Sequence, residues 1–172
     1  MKEFIQKHKL FSFYTALMLV IVFIAIFAPW LAPGDAFSSD MTKALQAPSA
    51  QHWFGTDKLG RDVLSRIIYG TQLSLFMGVS IVVIMVSIGT VIGAVAGYFG
   101  GKVEMVLMRL ADIMLSFPGV VLAIAIAGIL GGSIVNTILA LTVVGWAKYA
   151  RLVRSMTLKV RGEEYVTAAV MM

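Results

Sequence analysis

The 172-residue chain is 59 % hydrophobic and 13 % charged, with a mean hydropathy of +0.91, a net charge of +5 and no cysteine. Soluble domains carry about a quarter of their residues as charged side chains, so this composition excludes a soluble globular protein, and the absent cysteines exclude disulfides and thiolate metal sites. The positive charge does not indicate nucleic acid, because the lysines and arginines flank apolar runs, as in the cytoplasmic loops of membrane proteins.

Charged residues are missing from Leu10–Gly34, Thr71–Gly101 and Ile113–Ala147. A helix crosses a bilayer with roughly 20 apolar residues, so each window holds at least one crossing. The first span is expected over Leu10–Trp30. Lys2, Lys7 and Lys9 precede it as they would a signal peptide, but the run is long enough to span and is read as a retained helix. It ends where Pro29 and Pro33 interrupt it, with Trp30 suited to the membrane interface.

A polar segment follows, and within it "GTDKLGRDVLSRIIYG" predicts a capped amphipathic helix. Thr56 is expected to cap its first turn and Asp57 to stabilise its N-terminal end. Leu59, Val63, Leu64 and Ile67 supply an apolar stripe, which either lies along the membrane surface or packs on the mouth of the bundle. Span 2 lies within Leu73–Tyr98. Its Gly89, Gly93 and Gly97 recur every four residues and fall on one face, where another helix can approach closely.

The third window is too long for one crossing, and Gly131 and Gly132 divide it. Span 3 is expected over Val106–Leu130 and span 4 over Ile134–Leu152. Pro118 either kinks span 3 or marks its start. Arg109 and Asp112 stand three residues apart on one helical face, so they are expected to form an ion pair at the inner membrane interface. Beyond span 4 the chain is basic, and then Glu163 and Glu164 open what reads as another helix. That helix starts and has nowhere to end, which is the mark of an incomplete chain.

The basic stretches before span 1, after span 2 and after span 4 alternate with the neutral 31–72 segment. The positive-inside rule therefore puts the N-terminus inside and the 31–72 segment outside. That order separates the two histidines, His8 and His52, across the membrane, so they cannot share a metal. "AGYFGGKVE" lacks the spacing and the Ser/Thr of a phosphate-binding loop, and no intramembrane catalytic pair is present. The chain reads as neither an enzyme nor a cofactor protein.

Three blocks carry a family resemblance: "HWFGTDKLGRDVLSRIIYGTQLSL", "GGKVEMVLMRLADIMLSFPGVVLAI" and "GWAKYARLVRSMTLKVRGEEYVTAA". With them the sequence resembles the inner-membrane permease subunits of ATP-driven (ABC) importers for peptides and nickel. It is most similar to the second permease of the dipeptide/oligopeptide branch. The resemblance makes Gly55, Thr56, Asp57, Gly60, Arg61 and Asp62 part of an extracytoplasmic signature. It implies a heterodimer with a related permease, two cytoplasmic ATPase subunits that hydrolyse the ATP, and an extracytoplasmic substrate-binding protein. It also implies an ATPase-coupling element containing Glu163, Glu164, Tyr165, Ala168 and Ala169. In the family pattern an acidic residue precedes two alanines, three variable residues and a glycine. Here Thr167 stands in the acidic place, Ala168 and Ala169 match, and the chain ends before the glycine.

The expected fold is thus an all-α polytopic membrane bundle of four transmembrane helices with an extracytoplasmic amphipathic helix. Residues 1–72 form the first helix and outer loop, and residues 73–172 form the N-terminal part of the permease domain. Six spans are usual in the family, so the chain reads as the N-terminal portion of a permease in a prokaryotic inner membrane. The competing reading is a non-transporting membrane scaffold or assembly fragment, because the coupling motif and last helices are missing.

Overall fold

The computed structural model describes residues 9–164 and 166. These are helical apart from the segment between residues 32 and 62 and short interhelical turns. The helices are α1 (Lys9–Ile26), the single turn α2 (Ala28–Leu31), α3 (Val63–Phe99), α4 (Gly101–Ser116), α5 (Gly119–Leu130) and α6 (Ile134–Arg161), with a 3-10 turn at Met41–Lys43. The chain divides into two compact units, Met1–Phe76 and Met77–Met172.

In the first unit, α1 exposes Leu10, Phe13, Leu17, Val20 and Phe23 and buries Ala25. A helix apolar on all faces suits lipid rather than water. Pro29 sits in the first turn of α2, where its missing N–H costs nothing. Phe23, Phe27 and Trp30 stack in series across the break, with centroids 4.4 and 5.4 Å apart.

The separate amphipathic helix expected from Thr56 onward does not form. Residues 56–62 make a turn, and α3 begins at Val63 and runs unbroken to Phe99. The reason lies at both ends of the expected element. Gly60 takes a φ of +74°, which a helix cannot continue through. The cap is Asp62, whose Oδ2 accepts from the Ser65 backbone N–H at 2.7 Å. Further on, Gly70 costs only about 1 kcal/mol in a helix, too little to part a surface helix from the span that follows. At 1.5 Å per residue α3 is about 55 Å long, well beyond the roughly 30 Å hydrocarbon core.

Two helices, α1 and α3, are long and apolar enough to cross a membrane; α4 and α5 qualify only as a pair, bent by 89°. The chain is therefore an all-α, multi-pass membrane protein with two to three candidate spans among the described residues. The bend falls at Pro118. Proline drives the residue before it into extended geometry, and Phe117 has φ −90° and ψ 146°. The stretch expected as one helix, Val106–Leu130, is accordingly two. α6 carries Lys148, Arg151, Arg154, Lys159 and Arg161 along its second half, which lowers its hydropathy.

The second unit is organised around α6, against which α4 and α5 both pack. Ser133 caps α6 by accepting from the Asn136 N–H at 3.1 Å. The Asn136 amide in turn donates to the Leu130 and Gly131 carbonyls, closing the α5–α6 turn. The buried side chains here are mostly alanines, Ala96, Ala111, Ala123, Ala140, Ala147 and Ala150, with Thr142 and Val144 beside them. Large apolar side chains such as Val91, Val120, Ile124 and Ile129 face outward. Lipid offers no hydrophobic drive to bring helices together, so close backbone approach through small residues must do so.

Candidate functional site

Two constructions hold the candidate residues, one in each unit. The first is a clasp that folds residues 34–66 onto the start of α3. Asp57 is its centre. Its Oδ1 accepts from the backbone N–H groups of Leu59 (2.8 Å) and Arg61 (3.0 Å), and its Oδ2 from Arg61 Nε (2.9 Å) and from the Arg66 guanidinium. The Arg61 guanidinium, then these backbone donors and Arg66, hold the Asp57 carboxyl well below the usual range. Gly60 lies against the preceding strand of chain, where an added Cβ would sit 2.6 Å from the Asp40 carbonyl carbon. Gly55, at φ +71°, similarly has no room for a Cβ beside the Gln46 carbonyl oxygen.

Thr56 does not cap a helix. Its hydroxyl donates to the Lys43 carbonyl and accepts from the Gln46 N–H at 2.8 Å, while its own N–H donates to the Gln46 carbonyl at 3.1 Å. Together with Asp40 N–H to Leu59 carbonyl and Leu45 N–H to Asp57 carbonyl, it lays residues 40–46 along residues 56–59. Asp62 is almost fully buried and meets His52 Nδ1 at 3.0 Å. Burial pushes its carboxyl up, but the Ser65 N–H and hydroxyl and then His52 outweigh that and leave it lowered. Ser65 is wholly buried and its Oγ accepts from the Gly34 N–H at 3.0 Å, which ties the chain leaving α2 to the start of α3. The sequence reading weighed His52 only as a metal ligand and did not single out Ser65. The available signal was an Asp directly before an apolar-periodic run, with a small polar residue three positions on.

The second construction is the packing of α3, α4 and α6. Gly89, Gly93 and Gly97 are buried and face α6. A Cβ on Gly89 would lie 2.9 Å from the Trp146 carbonyl oxygen, one on Gly93 would strike the Ala150 carbonyl, and one on Gly97 would lie 3.1 Å from the Arg154 carbonyl. Each glycine thus meets the carbonyl 57 positions later, so α3 and α6 run parallel in register.

Charged groups join α4 to α6. Arg154 reaches Glu104 with both Nε (2.6 Å) and a terminal nitrogen, and Arg151 pairs with Asp112. The expected Arg109–Asp112 pair is corrected by this geometry. Asp112 takes its partner from the neighbouring helix, and Arg109 points to the exterior with no ion pair among the described residues. A local pair three residues apart is worth only a few tenths of a kcal/mol, so packing against a cation-bearing helix overrides it. An apolar cavity of about 350 Å³ lies between α3, the α4–α5 bend and α6, lined by Met85, Phe117, Leu141 and Gly145 with Lys148 as its charge.

Of the expected coupling residues, Glu163 and Glu164 are exposed just beyond α6. The Glu163 N–H donates to the Val160 carbonyl at 3.1 Å. Tyr165, Ala168 and Ala169 lie outside the described residues. No group of three or more His, Cys, Asp or Glu residues is arranged to hold a metal among the described residues.

Comparison with known proteins bears on the whole chain. Residues 89–172 match the family described as binding-protein-dependent transport system inner membrane component. Residues 5–48 match the N-terminal TM domain of oligopeptide transport permease C. The dipeptide transport system permease protein DppC of Alkalihalophilus pseudofirmus is 42 % identical over 96 % of this chain and 54 % of its own length. The probable D,D-dipeptide transport system permease protein DdpC of Escherichia coli is 43 % identical over 89 % and 51 %. The nickel transport system permease protein NikC of Escherichia coli is 39 % identical over 87 % and 54 %. The chain spans about half the length of the curated relatives it matches. With identity near two residues in five along almost its full extent, the chain belongs to the peptide/nickel ABC-importer permeases, in their C-type, second-permease group.

Proposed function

We propose that the chain serves as a transmembrane permease subunit of an ATP-driven importer, forming part of the translocation path for peptides or nickel. The observation that carries this is the similarity, over 87–96 % of the chain, to permeases of peptide and nickel transport systems. In this reading the chain is not an enzyme. A related permease pairs with it, two ATPase subunits hydrolyse ATP on the cytoplasmic side, and a binding protein delivers cargo from outside. Glu163, Glu164, Tyr165, Ala168 and Ala169 contact the ATPase, and motion delivered there gates the path by rigid-body displacement. The mostly apolar cavity beside Lys148 belongs to that path.

The same reading gives the chain four crossings with the N-terminus in the cytoplasm. α1 leaves, α3 returns, the bent α4–α5 pair leaves and α6 returns. Two features of the second unit support it. α3 and α6 run parallel at their glycine contact, so the chain between them must recross. The ion pairs of α4 with α6 match rising numbers on one helix, Glu104 then Asp112, to falling numbers on the other, Arg154 then Arg151. The clasp of residues 34–66 then faces outward, on the side of the binding protein. No observation favours the scaffold reading.

The test is cargo uptake by the assembled transporter, with a labelled dipeptide and labelled nickel offered separately. One cargo should accumulate in an ATP-dependent manner. Glu164→Lys or Ala169→Trp should cut uptake about tenfold while ATP hydrolysis continues, within the range by which residues of a coupling network act. Unchanged uptake and hydrolysis in both variants would overturn the coupling assignment, and accumulation of neither cargo would overturn the cargo class.

A further inference from the structure

Two arginines of α6 grip the corner between α3 and α4. Arg154 and Arg161 are seven residues apart, so they emerge from one face of the helix, two turns from each other. Arg161 donates from a terminal nitrogen to the Tyr98 carbonyl at 3.0 Å. That carbonyl is one of the last in α3 and has no partner within its helix. Arg154 does more. Its side chain reaches Glu104, which stands in the first turn of α4, where a carboxylate suits the positive end of the helix. Its backbone N and O fill the space beside Gly93 and Gly97 of α3, where added Cβ atoms would lie 3.0 and 3.1 Å away. One residue therefore touches all three helices. The joint it grips is a tight turn, with Gly100 at φ +65° and Gly101 at φ +54°, and the Glu104 N–H donates to the Gly100 carbonyl at 3.2 Å.

The Glu104–Arg154 pair is half-buried, whereas the Asp112–Arg151 pair is more than half exposed on both sides. An exposed pair contributes little. Here two guanidinium N–H groups converge on the single Glu104 oxygen Oε1 in a partly dry setting, and such charge-assisted bonds are stronger than neutral ones. The two pairs are therefore unequal, and the one at Arg154 holds the angle between α6 and the corner.

We propose that Arg154 is a positioning residue that locks the end of α6 to the α3–α4 corner through Glu104, so that displacement of the segment after α6 turns the corner with it. This rests on the permease reading for its consequence, but the lock itself is a property of distance. Without the lock, a push on the end of α6 would be absorbed by bending of the last turns of that helix alone.

The chain has no cysteine of its own, so single cysteines at the exposed Lys102 and Lys159 accept a pair of spin labels selectively. In the assembled transporter the labelled pair should give one narrow distance distribution, unchanged between the ATP-bound and ATP-free states. Arg154→Gln should broaden it and cut uptake per ATP hydrolysed about fivefold, within the range expected for residues that carry coupling. The exchanged pair Glu104→Arg with Arg154→Glu should restore both readouts. A distribution that stays narrow in Arg154→Gln overturns the lock. So does a broadened one that the exchanged pair fails to narrow, since the ion pair would then not be its cause. If the unmodified transporter accumulates no cargo, the permease reading fails, and the distance measurement still decides the lock.

Discussion

Gly60 and Asp62 show how little tolerance the clasp has at single positions. Gly60→Ala would need both an unfavourable backbone region and room occupied by the Asp40 backbone. The strain is on the order of 1–3 kcal/mol, so loss of amide protection across residues 40–61 in hydrogen exchange is the expected outcome. Asp62→Ala removes the cap of α3 and leaves the Ser65 N–H unpaired, a loss of about 1 kcal/mol readable as fraying of the first turn of α3. Acid should open the same region. The folded-state carboxyls of Asp57 and Asp62 titrate below their ordinary values. Their contribution is therefore complete above the ordinary carboxylate value of about 3.9 and is lost as pH falls through and below it. Exchange corrected for intrinsic rates should show the Ser65 amide, bound by Asp62, protected at neutral pH and losing protection as pH falls below that value, with the Asp57-bound Leu59 and Arg61 amides following only in stronger acid. Protection of the Ser65 amide that does not fall in acid would mean that the Asp62 carboxylate does not hold the start of α3. The signature residues were legible as a group in the sequence, because Gly, Thr and Asp cluster between two apolar runs. Their roles were not. Whether a Thr or an Asp caps depends on where the helix begins, and that was set here by a left-handed glycine and by Asp40, some twenty positions away.

At the scale of helices, the glycine face and the glycines away from it should respond in opposite directions. Gly93→Val pushes a side chain into the Ala150 carbonyl and Val153 and should separate α3 from α6. Gly78 meets nothing within 4 Å, so Gly78→Ala should stabilise the protein by up to about 1 kcal/mol through helix propensity alone. Thermal unfolding in one detergent compares the two, and equal losses would show that the contact face is not what the four-residue spacing serves. That spacing could be read directly from the sequence because it needs only helical periodicity. The partner of Asp112 could not be read in the same way. Arg109 was nearer in the chain, but Arg151 was nearer in space, and only the packing of α4 on α6 decides between them. Pro118 signalled a break, yet not an 89° one, since the bend depends on what each half then packs against.

For the whole molecule, the disposition across the membrane is open to direct measurement. A cysteine at the exposed Lys58 should react with a membrane-impermeant maleimide added to intact cells. Cysteines at Lys102 and Lys159 should react only after the membrane is opened. The reverse pattern would invert the proposed topology. Hydropathy and charge placement made the class and the helical segments visible without coordinates. They could not distinguish a straight span from a bent pair, because both bury the same apolar residues.

The register between α3 and α6 has a mechanical consequence. Gly89, Gly93 and Gly97 mesh with the carbonyls of Trp146, Ala150 and Arg154 like two racks cut to the same tooth spacing. Sliding by part of a tooth would bring side chains such as Tyr149 or Val153 onto the glycine Cα atoms, where no space exists. A shift that keeps both helices in contact must advance by a full turn, about 5.4 Å, or not occur. Small displacements reaching this pair are therefore carried as tilt or rotation of both helices together, and the join between them is stiff along its length even though it contains almost no bulk.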